Sequence, residues 1–174
     1  PARAAERTQR EFMQRAIAEI DARNEKIDAE MKRPPQSGIS PIFVKIPKVT
    51  PFGDWDYYYL EDQLQWDGNT GDIFDTVTVP RGFVTDLASV PPIMWAKYPP
   101  MGRYAYAAIV HDYLYWMQTM TRREADQILA IAMKDADVDQ GTVDDFSTAL
   151  YLAGGIGWRR NANAKKAGEK RVLV

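Results

Sequence analysis

An α+β fold is predicted: a long N-terminal helical arm, a small antiparallel β-sheet, then a three-helix core. Three observations predict it. Apolar residues recur at helical spacing before residue 33, short β-prone runs separated by glycines fill residues 42–85, and helical periodicity returns from about 102 to 160. With 174 residues, 45% of them hydrophobic, the chain holds one domain's worth of core-forming material. The expected division is a docking arm over 1–33, a linker over 34–41 and one domain over 42–174 that ends in a basic tail, 161–174.

The arm is charged and alanine-rich, with no glycine and no proline after Pro1. Met13, Ile17, Ile20, Asn24, Ile27 and Met31 follow one another at steps of 4, 3, 4, 3 and 4. Such a seam is the a/d pattern of a coiled coil, with Asn24 at an a-type position where a polar residue sets register and oligomer number. An ordinary amphipathic helix lying on its own domain is the alternative. A narrow seam with charged flanks is poor core material, which favours docking to a partner chain or to a second copy. Pro34, Pro35, Gly38 and Pro41 then break the helix.

Four β-prone runs come next, 43–46, 57–60, 63–66 and 76–79, read as three or four strands of one antiparallel sheet. Tyr57 to Tyr59 with Trp55 and Trp66 serve either as half-buried strand packing or as an aromatic platform for sugar or lipid. Packing is the favoured use. Helices are expected over 103–117, over 122–136 behind a capping box of Thr121 and Glu124, and from near Thr142 to Trp158, the last softened by Gly154, Gly155 and Gly157. The tail from Lys165 to Arg171 is basic and expected to fray, and its charge is compatible with a membrane surface.

Composition removes several classes of function. A net charge of −2 argues against nucleic-acid binding. The absence of cysteine excludes disulfides and thiolate metal sites. No run of about 18 apolar residues is present, so no transmembrane segment is expected, nor is a signal peptide.

Chemistry is expected around His111, the one histidine. It is the side chain whose ordinary pKa allows proton exchange near neutral pH. The first two core helices are joined by about four residues and should pack antiparallel. Counting outward from a turn near residue 119 places Asp126 within reach of His111, and Tyr115 lies at i+4 on the same face. Base, orienting carboxylate and phenol then form one group. Asp112 points about 100° away, toward the incoming segment that holds Asp86. Asp86 and Asp112 would offer oxygen ligands of the kind calcium takes. Ser89 as a nucleophile on His111 is an alternative, although nothing around it resembles a nucleophile elbow. A buried histidine and aspartate that merely satisfy one another is the bland alternative.

The residues Asp86-Leu87-Ala88-Ser89, Pro91, Ala107 to Tyr115, Arg123, Ala125-Asp126 and Met133 resemble the core of the secreted phospholipase A2 enzymes, especially the short bacterial type. The resemblance covers about 50 residues. It implies a calcium-dependent ester hydrolase in which His111 is the general base, Asp126 its orienting carboxylate and Tyr115 the phenol bonded to that carboxylate. It also implies Asp86, Asp112 and the Leu87 carbonyl as calcium ligands. Ala88 and Ala108 stand where that family has a disulfide, and Leu87 stands where glycine is common. A second resemblance runs from about residue 75 to 160. Val79-Pro80-Arg81-Gly82-Phe83-Val84-Thr85-Asp86-Leu87-Ala88-Ser89-Val90-Pro91, then His111 to Tyr115 and Arg123-Ala125-Asp126, is similar to a family of uncharacterised phage and prophage proteins. It implies a phage origin. Two functions are therefore expected as alternatives: a virion component, in the tail or elsewhere in the particle, that carries a calcium-dependent hydrolase for a lipid or other ester of the host envelope; or a non-catalytic structural or adaptor protein on the same scaffold.

Overall fold

The computed structural model describes residues 47–53, 57–68, 74–87 and 104–173, together with isolated helical positions at 14, 18, 21, 22, 25 and 29. The seam residues Met13, Ile17, Ile20, Asn24, Ile27 and Met31, the linker, the run 43–46, Trp55 and Ser89 lie outside the described residues. The chain divides into two compact units, Pro1–Ile46 and Pro47–Val174, and the second carries the sheets, the core helices and His111.

Five short strands open this second unit: β1 (Val49–Pro51), β2 (Tyr58–Leu60), β3 (Leu64–Trp66), β4 (Val77–Val79) and β5 (Val84–Thr85). They form two antiparallel sheets rather than the single one expected, a three-stranded sheet ordered β1-β2-β5 and a β3-β4 pair. β1 is not among the expected runs. It ends at Pro51, and proline, lacking an N–H, is tolerated at an edge such as β1 occupies. In β3 and β4 the alternation is strict. Leu64, Trp66, Val77 and Val79 turn inward while Gln65 and Thr78 face out, the period-2 pattern of a half-buried pair. Trp66 is fully buried and its Nε1–H donates to Asp135 Oδ2 at 2.9 Å, so it packs and is not part of a surface platform. Tyr57, Tyr58 and Tyr59 are half-buried, as packing residues would be.

Three helices complete the unit: α1 (Ala105–Met117), α2 (Arg122–Asp135) and α3 (Gln140–Lys166). α1 is the axis of the core. Nearly every side chain along it is buried, and it contacts α2, α3, β4 and β5. It ends at Gln118, in the left-handed region at φ 56°, whose N–H bonds the Leu114 carbonyl. α2 begins with the expected capping box: the Thr121 side chain accepts from the Glu124 N–H, and the Glu124 carboxylate accepts from the Thr121 N–H at 2.7 Å. Its apolar face, Ala125, Ile128, Leu129, Ala132 and Met133, is buried. Asp139 caps α3 by accepting from the Thr142 N–H at 3.0 Å.

α3 departs from expectation in two ways. It runs through all three glycines to Lys166, well past Trp158. Helix propensity disfavours glycine by about 1 kcal/mol per residue, and tertiary packing outweighs it here. At Gly154 a β-carbon would lie 2.6 Å from Tyr115 Oη and 2.9 Å from Arg122 Nη1, so the missing side chain is what allows α3 to cross there. The tail also does not fray. Beyond α3 the chain returns to the sheet: Val84 N–H donates to the Arg171 carbonyl at 2.7 Å, Leu173 N–H to the Gly82 carbonyl at 2.8 Å, and Phe83 bridges Val172. Gly82 is at φ 83°, and a β-carbon there would sit 2.0 Å from the Leu173 carbonyl oxygen.

Two neighbouring glycines should respond oppositely. Gly155 faces open space, so Gly155→Ala should stabilise by about 0.5–1 kcal/mol. Gly154→Ala displaces side chains that are tied to Asp126 and should cost about 1–2 kcal/mol. Urea denaturation of the two variants checks this.

Candidate active site

α1 presents His111 and Tyr115 one turn apart, and α2 presents Arg122 and Asp126 at the same spacing. The connection is four residues, 118 to 121, so the helices pack antiparallel and the two pairs meet. His111 Nε2 lies 3.0 Å from Asp126 Oδ1, and Tyr115 Oη donates to that same oxygen at 2.6 Å. Arg122 Nη1 donates to Asp126 Oδ2 at 2.8 Å and to the Leu150 carbonyl at 3.0 Å. The His111 and Tyr115 rings are 4.1 Å apart, and Trp158 of α3 meets Tyr115 edge-on at 5.1 Å.

Electrostatics fix the protonation of this group. Where the Asp126 oxygen accepts, Nε2 of His111 is the donor of that 3.0 Å contact. Burial pushes the His111 pKa below its ordinary value; the bond to Asp126 and its charge oppose this, and the Arg122 charge adds to it. Burial, then the bond and charge of Asp126, push the Tyr115 phenol up, which keeps it a donor. The pieces are an imidazole held in one orientation and a carboxylate held by three side chains. Chemically, that is an oriented base.

A second cluster forms around the next residue of α1. Asp112 Oδ2 accepts from Thr85 Oγ1 at 2.6 Å and from the Asp86 N–H at 3.2 Å. Arg171 approaches both carboxyls, Nη2 at 3.5 Å from Asp86 Oδ2 and Nη1 at 3.7 Å from Asp112 Oδ2. The Asp112 carboxyl is held well above the ordinary carboxylate range, by burial first and the Asp86 charge second, with Arg171 and the Thr85 hydroxyl pulling it down. Leu87 is at φ 51° and buried, its N–H donating to Thr85 Oγ1 at 3.0 Å. A non-glycine residue in that region is strained.

The donor set among the described residues does not fit calcium. The ion takes six to eight oxygens. Among the described residues no three histidine, aspartate or glutamate side chains converge on a metal position, and a guanidinium already lies against the two carboxyls that are present.

Of the residues expected to act, the structure brings His111, Asp126 and Tyr115 together in one cluster and Asp86, Asp112 and Leu87 in the other. Arg122, Thr85, Gly154 and Arg171 join them without a sequence-based expectation. For Arg122 a signal exists, an arginine four residues before Asp126; Arg123, which carries the sequence resemblances, is exposed.

A family model described as "Protein of unknown function (DUF1353)" matches residues 58–146, half of the chain, from β2 into the start of α3. The chain belongs to this family. No curated protein and no solved structure matches it. The DUF1353 region contains both clusters except Leu150, Gly154, Trp158 and Arg171, which come from beyond it.

Stability should show the buried imidazole. Above the ordinary histidine value of about 6.5, folded and unfolded chains both hold it neutral. As the pH falls through that value the unfolded chain takes up a proton that the folded chain resists, so stability drops. Denaturation midpoints measured from pH 7.5 down to 5 should fall for the wild type, and His111→Gln should lack this component.

Proposed function

We propose that this DUF1353 protein is an ester hydrolase with His111 as general base. The reading is supported by one observation above the others: Asp126 engages Nε2 and is itself engaged by both Tyr115 and Arg122, so the ring is oriented with Nε2 toward a held carboxylate. In the proposed reaction the imidazole removes a proton from water as the hydroxide oxygen bonds the ester carbonyl carbon. The tetrahedral intermediate collapses with cleavage of the bond to the alcohol oxygen, which recovers the proton from the imidazolium. The products are a carboxylic acid and an alcohol. Asp126 stabilises the imidazolium between the two steps and does not itself accept the proton.

A lipid or other envelope ester as substrate, and residence in a phage particle docked through Met13, Ile17, Ile20, Asn24, Ile27 and Met31, belong to the same proposal. They rest on the sequence resemblances and on the seam pattern.

A specific observation favours the second reading, a structural or adaptor protein. α3 leaves Tyr151, Leu152 and Ile156 exposed at 76%, 77% and 67%, with Arg159 and Arg160 beside them, a face suited to another chain. His111 is only 2% exposed, as a purely scaffolding network would have it.

Hydrolysis of a fluorogenic phospholipid and of a short-chain ester separates the two. Wild type should turn over at least one, and His111→Ala and Asp126→Asn should each lose about 10²–10⁴-fold. Absence of turnover with either substrate overturns the enzyme reading.

A further inference from the structure

Two carboxyls facing one another inside a fold require a countercharge, because burial and mutual repulsion both act against them. We propose that Arg171 is the resident cation of the Asp86–Asp112 pair, holding the place that a divalent metal would take, and that this site is built to work without calcium. The inference shares its location with the hydrolase reading but does not rest on turnover.

Position is the first argument. The guanidinium reaches both carboxyls, at 3.5 and 3.7 Å, and Nη1 makes no hydrogen bond among the described residues, so its attraction to Asp112 is Coulombic. The surroundings suit a guanidinium and not a hydrated ion. Its central carbon lies 5.5 Å from the Trp116 ring centroid and 5.8 Å from that of Tyr57, and arginine is weakly hydrated and stacks on aromatic faces.

Delivery is the second argument. The hydrogen bonds from Val84 N–H to the Arg171 carbonyl and from Leu173 N–H to the Gly82 carbonyl pin the backbone on both sides of Val172. Gly82, at φ 83°, leaves the space in which the Leu173 carbonyl lies. The strap thus has a built seat, and the arginine is the side chain it directs at the acids. Meanwhile Asp112 Oδ2 already accepts from Thr85 and Asp86, which leaves that oxygen poorly placed to join a metal shell.

The test uses the full chain, thermal melts and a calorimetric titration with calcium chloride, with EDTA as control. Expected results are an unchanged melting temperature in calcium and in EDTA, and no saturable binding heat. Arg171→Met should lower the melting temperature by roughly 5–10 °C, the scale for stranding one member of a buried charge group in a chain of this size. Adding Asp112→Asn to Arg171→Met should recover part of that loss, since an amide needs no countercharge; a merely steric role for Arg171 would show no recovery. If Arg171→Met does not fold, a double variant that folds supports the proposal and one that stays unfolded overturns it. Calcium binding by the wild type with a raised melting temperature overturns it, as does an Arg171→Met protein that melts like the wild type.

Discussion

Two adjacent ionisable side chains, His111 and Asp112, sit in a helix buried on nearly every face, and the rest of the fold is arranged around that fact. Successive helical residues point about 100° apart, so one partner set cannot serve both. Each would be costly to bury alone. α2 answers the first with Asp126 and Arg122, while β5 and the strap answer the second with Thr85 and Arg171. α3 closes over the histidine side, and its glycine at 154 exists where a side chain would collide with Tyr115 and Arg122. The two sheets and three helices are in this sense the apparatus that partners two neighbouring residues in one turn of α1.

Much of this is legible in the sequence for a reason specific to helices. Side chains at i and i+4 share a face whatever the tertiary context, and a four-residue connection forces two helices to run antiparallel. His111, Tyr115 and Asp126 are therefore placed together by spacing alone, and the Thr121–Glu124 capping box is a purely local motif. The β region is less legible. Strands of two and three residues carry little periodicity, so β1 leaves no clear signal and two sheets look like one. Arg171 escapes sequence reasoning for another reason: its seat is made by Val84 and Gly82, far away in sequence, and nothing local distinguishes a basic tail that folds back from one that does not. α3 outruns its expected end because the packing that overrides glycine propensity comes from α1 and α2, not from α3 itself.

The two clusters differ in how their charges are satisfied. Around His111 the ionised groups are hydrogen-bonded at 2.6 to 3.0 Å and geometrically specific. Around Asp112 the cation stands 3.5 to 3.7 Å away and is held as much by rings and backbone as by the acids. A rigid, directional network suits the positioning of a base. A looser Coulombic one suits the neutralisation of charge, and the strained backbone at Leu87 lies just beyond the strand that supplies Thr85 to it.

The position of Trp116 gives the strap an optical signature. Its ring is 5% exposed and carries two cations nearby, the Arg171 guanidinium at 5.5 Å and the Lys165 ammonium at 5.9 Å. Indole emission shifts with the local electric field, and a displaced strap would take one of these two charges away from the ring. Of the five tryptophans, Trp116 is thus the one whose surroundings, among the described residues, are tied to the seating of Arg171 to Leu173.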